Sequence, residues 1–108
     1  MNILPDGLVV FEIAGDYASI HCPDKQKMQT LFSAGFGVEG DKMVRPITSD
    51  ADRLDLVRQL INLGALFSDG TGWAPAEVVA TYKDNGAIKD SFLRISWKNP
   101  NSYIITPS

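Results

Sequence analysis

Apolar positions in this chain recur with two different periods, and the switches between them outline the elements. From Gly7 to Ile13 the run is rich in branched and aromatic residues, with Val9, Phe11 and Ile13 on one side and Leu8, Val10 and Glu12 on the other. Ala14-Gly15-Asp16 interrupts it, and Tyr17 to Cys22 alternates again, with Ala18, Ile20 and Cys22 in phase. Two alternating runs around a glycine-bearing turn predict an antiparallel hairpin, whose inner face is Val9, Phe11, Ile13, Ala18, Ile20 and Cys22. A period-2 pattern returns at the far end of the chain. There Leu93, Ile95 and Trp97 share one face, a phase that assigns Trp97 to the core, and Phe92, Arg94 and Ser96 the other. Asn99-Pro100-Asn101-Ser102 suits a type I turn, and Tyr103 to Thr106 comes back as a second strand.

Between the hairpins the period becomes helical. Pro23 and Asp24 open a short helix carrying Met28, Leu31 and Phe32, with Gly35 placed to end it in a left-handed conformation. Phe36–Val38 and Lys42–Ile47 flank Glu39-Gly40-Asp41 and predict a bent strand or tight hairpin. The strongest helix starts at Ser49, which can cap it, and Asp52 completes a capping-box pattern. Its inward stripe is Leu54, Val57, Leu60 and Ile61, broadened by Leu56 and Leu63, with Ala65, Leu66 and Phe67 continuing inward past Gly64. A loop follows, Ser68-Asp69-Gly70-Thr71-Gly72-Trp73-Ala74. Pro75 then fits the first turn of a third helix, with Val78, Val79 and Tyr82 apolar and Asn85-Gly86 as its stop.

This order predicts one α+β domain over residues 1–108, a mostly antiparallel sheet of two hairpins with about three helices on one face. Without the first hairpin, the remaining order is shared by winged-helix domains, which bind nucleic acid. The loop from Ser68 to Ala74 is longer than a tight helix-turn-helix connection, which favours the two-layer arrangement. Composition agrees with a globular domain: 44% of the 108 residues are hydrophobic and 21% charged. No apolar run reaches membrane-spanning length and no signal-peptide pattern opens the chain. With one cysteine, Cys22, no internal disulfide is possible, and a soluble chain in the reducing cytoplasm is expected.

Charge is uneven. Residues 1–41 hold two lysines against six carboxylates, a balance of −4, while residues 42–108 come to +1. That lacks the cationic footprint of a nucleic-acid binder. Lys83, Lys89, Arg94 and Lys98 form at most a mixed face beside Glu77 and Asp84.

No motif survives its structural requirements. Gly35-Phe36-Gly37-Val38-Glu39-Gly40 spells the dinucleotide fingerprint but follows a helix and precedes a strand, the reverse of what a pyrophosphate needs. His21 and Cys22 are adjacent, yet neighbours on a strand point to opposite faces, so they make a poor base–nucleophile pair. Asp50, Asp52 and Asp55 lie in the first turns of one helix, where capping and the helix dipole account for them. The glycine loop lacks the lysine of a phosphate-binding loop and the oxygen-ligand spacing of an EF-hand. The expectation is a non-enzymatic binding module without metal or organic cofactor. It would engage a protein partner in the manner of an inhibitor, an immunity factor or a regulator. Candidate contact residues are Trp73, Asp69, Thr71, Arg94 and Lys98, with Trp73 either pinning its loop to the core or presented to the partner.

Overall fold

The computed structural model describes residues 7–69, 74–99 and 102–108. In chain order the elements are β1 (Val9–Glu12), β2 (Tyr17–His21), α1 (Lys25–Ser33), β3 (Gly37–Glu39), β4 (Lys42–Pro46), α2 (Asp50–Asn62), β5 (Leu66–Ser68), α3 (Pro75–Asp84), β6 (Leu93–Asn99) and β7 (Ser102–Pro107). The architecture of the described residues is α+β, with three helices and one seven-stranded mixed sheet ordered β3-β4-β2-β1-β5-β6-β7. No helix among the described residues is long and apolar enough to cross a membrane.

All three helices feed one core. Leu31 of α1, Leu56, Val57 and Leu60 of α2, and Ala76, Val78, Val79 and Tyr82 of α3 pack with Val10, Ala18, Ile20, Met43, Phe67 and Phe92 from the sheet. The helices stop by the same device. After α1, Gly35 N–H donates to the Phe32 carbonyl and Phe36 N–H to the Leu31 carbonyl; Gly64/Ala65 and Gly86/Ala87 repeat the pattern after α2 and α3. This is the Schellman arrangement, which needs a positive φ at the residue after the cap. Gly64, at φ 76°, therefore ends α2 and is not an interior glycine.

The largest departure from the sequence reading is β5. Leu66 and Phe67 were expected to prolong the helical segment inward. They form a short strand parallel to β1 on one side and β6 on the other, with Leu66 opposite Val9 and Leu93. A three-residue strand buried on both faces has neither a period of 2 nor of 3.6, so periodicity alone does not reveal it. Through β5 the C-terminal hairpin joins the N-terminal strands in one sheet instead of standing apart as a wing.

A second correction concerns the inner face of β1. Val10 pairs with Ile20, but Glu12, not Phe11, pairs with Ser19, so Phe11 is the extra residue of a β-bulge. The bulge shifts the phase: Val10 and Ile13 reach the helix side, while Val9 and Phe11 face away from it. Strict alternation had placed Val9, Phe11 and Ile13 together.

Arg45 ties the sheet to two helix ends. Its Nε donates to the Ala34 carbonyl at the end of α1 (2.8 Å), and its guanidinium meets Asp52 Oδ1 in the first turn of α2 at 2.7 Å. Asp52 also accepts from Thr48 N–H, while Ser49 Oγ caps the Asp52 N–H. The Arg45 hydrogen bond, helped by that of Thr48, lowers the Asp52 carboxyl to about 2.

Candidate functional site

The helices cover one side of the sheet. On the other, alternation places Val9 and Phe11 of β1, Leu66 of β5, Ile95 and Trp97 of β6 and Tyr103 of β7 in a second, smaller apolar cluster. Val9, Leu66 and Ile95 are buried at its floor, and Phe11, Trp97 and Tyr103 form a partly exposed upper layer. Trp97 meets Tyr103 edge to face at 5.2 Å, as opposed residues of adjoining strands. Leu93 and Ile105 extend the surface along the same face, 37% and 42% exposed. Lys42 Nζ lies 5.5 Å from the centre of the Phe11 ring.

The location is unusual for its strand directions. β1, β5 and β6 are mutually parallel, and parallel strands are normally covered on both faces. Here their helix-free side is an apolar and aromatic surface. At its margin Glu39 stands opposite Lys42, so the two formal charges there sum to zero.

Two of the five candidate contact residues come together. Asp69 follows β5; its N–H donates to the Ile95 carbonyl, and its carboxylate accepts from Ser96 Oγ at 3.3 Å and faces Arg94 NH1 at 3.6 Å. Arg94 also lies 5.7 Å over the Phe92 ring. These residues pin the end of β5 to β6 on the helix side, opposite the aromatic surface. Lys98 is exposed at the β6 bulge, where Trp97 pairs with Tyr103 and Asn99 with Ser102, so it drops out of alternation with Arg94. Thr71 and Trp73 lie outside the described residues.

The sequence reading did not single out Phe11, Leu93, Trp97, Tyr103 and Ile105 as a surface. One signal was present: the apolar row of β6, Leu93, Ile95 and Trp97, lies in the opposite phase from Phe92, the residue just before the strand. Phe92 enters the helix-side core, so that row belongs to a second apolar layer.

A cleft of about 590 Å³ opens beyond the end of β1, lined by Glu12, Ala14, Gly15, Asp50, Arg53, Val78, Thr81, Tyr82 and Asn85. Its polar groups bind one another. Arg53 donates to the Ile13 and Gly15 carbonyls and to Asp50 Oδ1, which also accepts from the Tyr82 hydroxyl at 2.9 Å. Glu12 accepts from the Ala14 and Gly15 N–H groups, and the Thr81 hydroxyl donates to the Glu77 carbonyl. Burial, reinforced by Asp50, raises the Tyr82 hydroxyl above its usual value of 10. The arrangement holds the β1–β2 turn against α2 and α3.

Cys22 belongs to the helix-side core, its thiol raised by burial and 3.4 Å from the Asp24 carbonyl. Among the described residues no three of His, Cys, Asp and Glu gather as a metal-binding group. Comparison with family models, curated proteins and solved structures finds no match to this chain.

Proposed function

We propose that the protein is a non-enzymatic binding module that engages a protein partner through the helix-free face of its sheet. The observation that carries this reading is the partly exposed layer of Phe11, Trp97 and Tyr103, flanked by Leu93 and Ile105, over parallel strands that no helix of the described residues covers on that side. Aromatic residues are enriched at protein interfaces because they bury large areas at small entropic cost. The face has little net charge, so the matching partner surface is apolar, such as one side of an amphipathic helix. Covering such a surface on another protein is the action of an inhibitory, immunity-type or regulatory factor. The acidic N-terminal segment contributes less to this than its charge suggests, because Glu12 and Asp24 are engaged by backbone N–H groups of their own turn and helix.

The test is affinity capture from native lysate with wild type, Trp97→Ser and Gln59→Ser. Gln59 is exposed on the outer side of α2. A stoichiometric protein held by wild type and Gln59→Ser but lost by Trp97→Ser supports the reading. A partner retained by Trp97→Ser and lost by Gln59→Ser contradicts it.

A further inference from the structure

The two edges of the sheet are built differently. β3 is three residues long and carries Glu39. β7 is six residues long, Ser102-Tyr103-Ile104-Ile105-Thr106-Pro107, and contains no charged side chain. Ile104 and Ile105 are 43% and 42% exposed on its opposite faces. Natural sheets protect an edge with short strands, charged residues, prolines or bulges, and of these β7 has only Pro107, at its end.

The hydrogen-bond register shows which backbone groups this edge offers. Phe92 and Ser108 exchange both backbone hydrogen bonds, at 3.1 and 2.8 Å. The ladder from there pairs Arg94 with Thr106 and Ser96 with Ile104 in the same hydrogen-bonded phase, and Ile95 with Ile105 and Trp97 with Tyr103 in the other. Thr106 and Ile104 therefore direct their N–H and C=O groups to β6. Tyr103 and Ile105 direct both of theirs outward, and Pro107 presents a carbonyl with no N–H.

We infer that β7 pairs antiparallel with β7 of a second copy of this chain, across a two-fold axis at Ile104. In that register Tyr103 of each copy exchanges two hydrogen bonds with Ile105 of the other, so each outward N–H and C=O of these residues is satisfied. Ile104 meets its own counterpart in the closely spaced, non-hydrogen-bonded position. Tyr103 stands across from Ile105, an aromatic–β-branched pair, and Thr106 from Ser102. Pro107 selects this register: centring on Ile105 would set Tyr103 against Pro107, which lacks the donor for half of the bonds. Because β7 is uncharged, the two-fold brings no like charges together. The two sheets become one continuous sheet, and their aromatic faces become neighbours.

This inference does not rest on the proposed function, because its central residue, Ile104, lies on the other side of the sheet from the aromatic face. It is tested by light scattering of the full chain over a concentration series, with Ile104→Lys and Ile104→Asp alone and mixed, and by amide hydrogen exchange. Circular dichroism establishes that each variant is folded. The wild type should reach twice the chain mass of 11.8 kDa. Each variant alone should stay at the chain mass, and the equimolar mixture should recover the doubled mass through lysine–aspartate pairing. Amides of Tyr103 and Ile105 should exchange at least tenfold faster in either variant alone than in wild type, with those of Ile104 and Thr106 protected in both. A wild type that stays at the chain mass at millimolar concentration overturns the inference. So does a doubled mass that survives both substitutions, or a mixture that fails to recover it.

Discussion

Trp97 and Tyr103 face each other across β6 and β7, their rings 5.2 Å apart and inclined by 63°, on the side of the sheet opposite α1, α2 and α3. Phe67, two strands away from β7, is fully buried on the opposite side and meets Phe92 edge to face at 5.8 Å. The two aromatic pairs separate the layer that holds the fold from the layer that remains partly open.

Their energetic weights should differ accordingly. Phe67→Ala leaves a cavity in the helix-side core and should cost about 3–5 kcal/mol. Trp97→Ala removes a partly solvated side chain and one aromatic contact, for about 1–2 kcal/mol. Urea denaturation of both variants checks the ranking. Equal losses would place Trp97 in the structural core.

Gly35 and Gly64 occupy equivalent positions after α1 and α2, at φ 102° and 76°, but in different surroundings. A methyl group at Gly64 would meet nothing within 4 Å, whereas at Gly35 it would stand 3.3 Å from Arg45 Nε. Gly64→Ala should cost the left-handed penalty alone, about 1–2 kcal/mol. Gly35→Ala should cost more, because it also crowds the bond from Arg45 to the Ala34 carbonyl. Denaturation midpoints of the two variants decide the order.

Asp52 provides the pH prediction. Its carboxyl lies at about 2 when folded, below its ordinary 3.8, because Arg45 and Thr48 hydrogen-bond to the ionised form. A depressed folded value stabilises the native state above 3.8, and that contribution disappears as pH falls through about 2. Asp52→Asn should therefore be less stable than wild type at neutral pH and show a shallower loss of stability on acidification. Thermal denaturation across the acid range measures both slopes. Parallel curves would mean that Arg45 gives Asp52 no preference for its charged form.

Tyr82→Phe removes the hydroxyl that donates to Asp50 at 2.9 Å while keeping the ring in the core. The expected loss is about 1 kcal/mol, typical of a hydrogen bond at a partly solvated site. Chemical denaturation measures it. An unchanged midpoint would show that the bond merely replaces one to water.

The punctuation of the chain was legible in the sequence. Ser49 caps its helix, Gly35 and Gly86 stop theirs, and Gly40 turns the β3–β4 hairpin with a positive φ, whereas α1 begins after Asp24, its N-cap, and not at Pro23. These signals are local, because a single side chain or a missing Cβ satisfies a nearby backbone group. What could not be read was set by distant neighbours. β5 is a strand because β1 and β6 flank it, and the bulge at Phe11 reflects its register with β2. Those two features decide which apolar residues form the helix-side core and which form the second face. The candidate surface was hidden for the same reason: Leu93, Ile95 and Trp97 do share one side of their strand, but that phase assigned Trp97 to the core, and it is partly exposed over Val9, Leu66 and Ile95.

Photocrosslinking in the native cell tests the helix-free face most directly. A photoreactive phenylalanine analogue placed at Phe11 lies in the aromatic layer on β1, three strands from the β7 edge, and one placed at Gln59 lies on the outer side of α2. The proposed function requires a discrete heteroprotein adduct from position 11, abolished by Trp97→Ser, and none from position 59. A heteroprotein adduct formed from position 59 and absent from position 11 would contradict it.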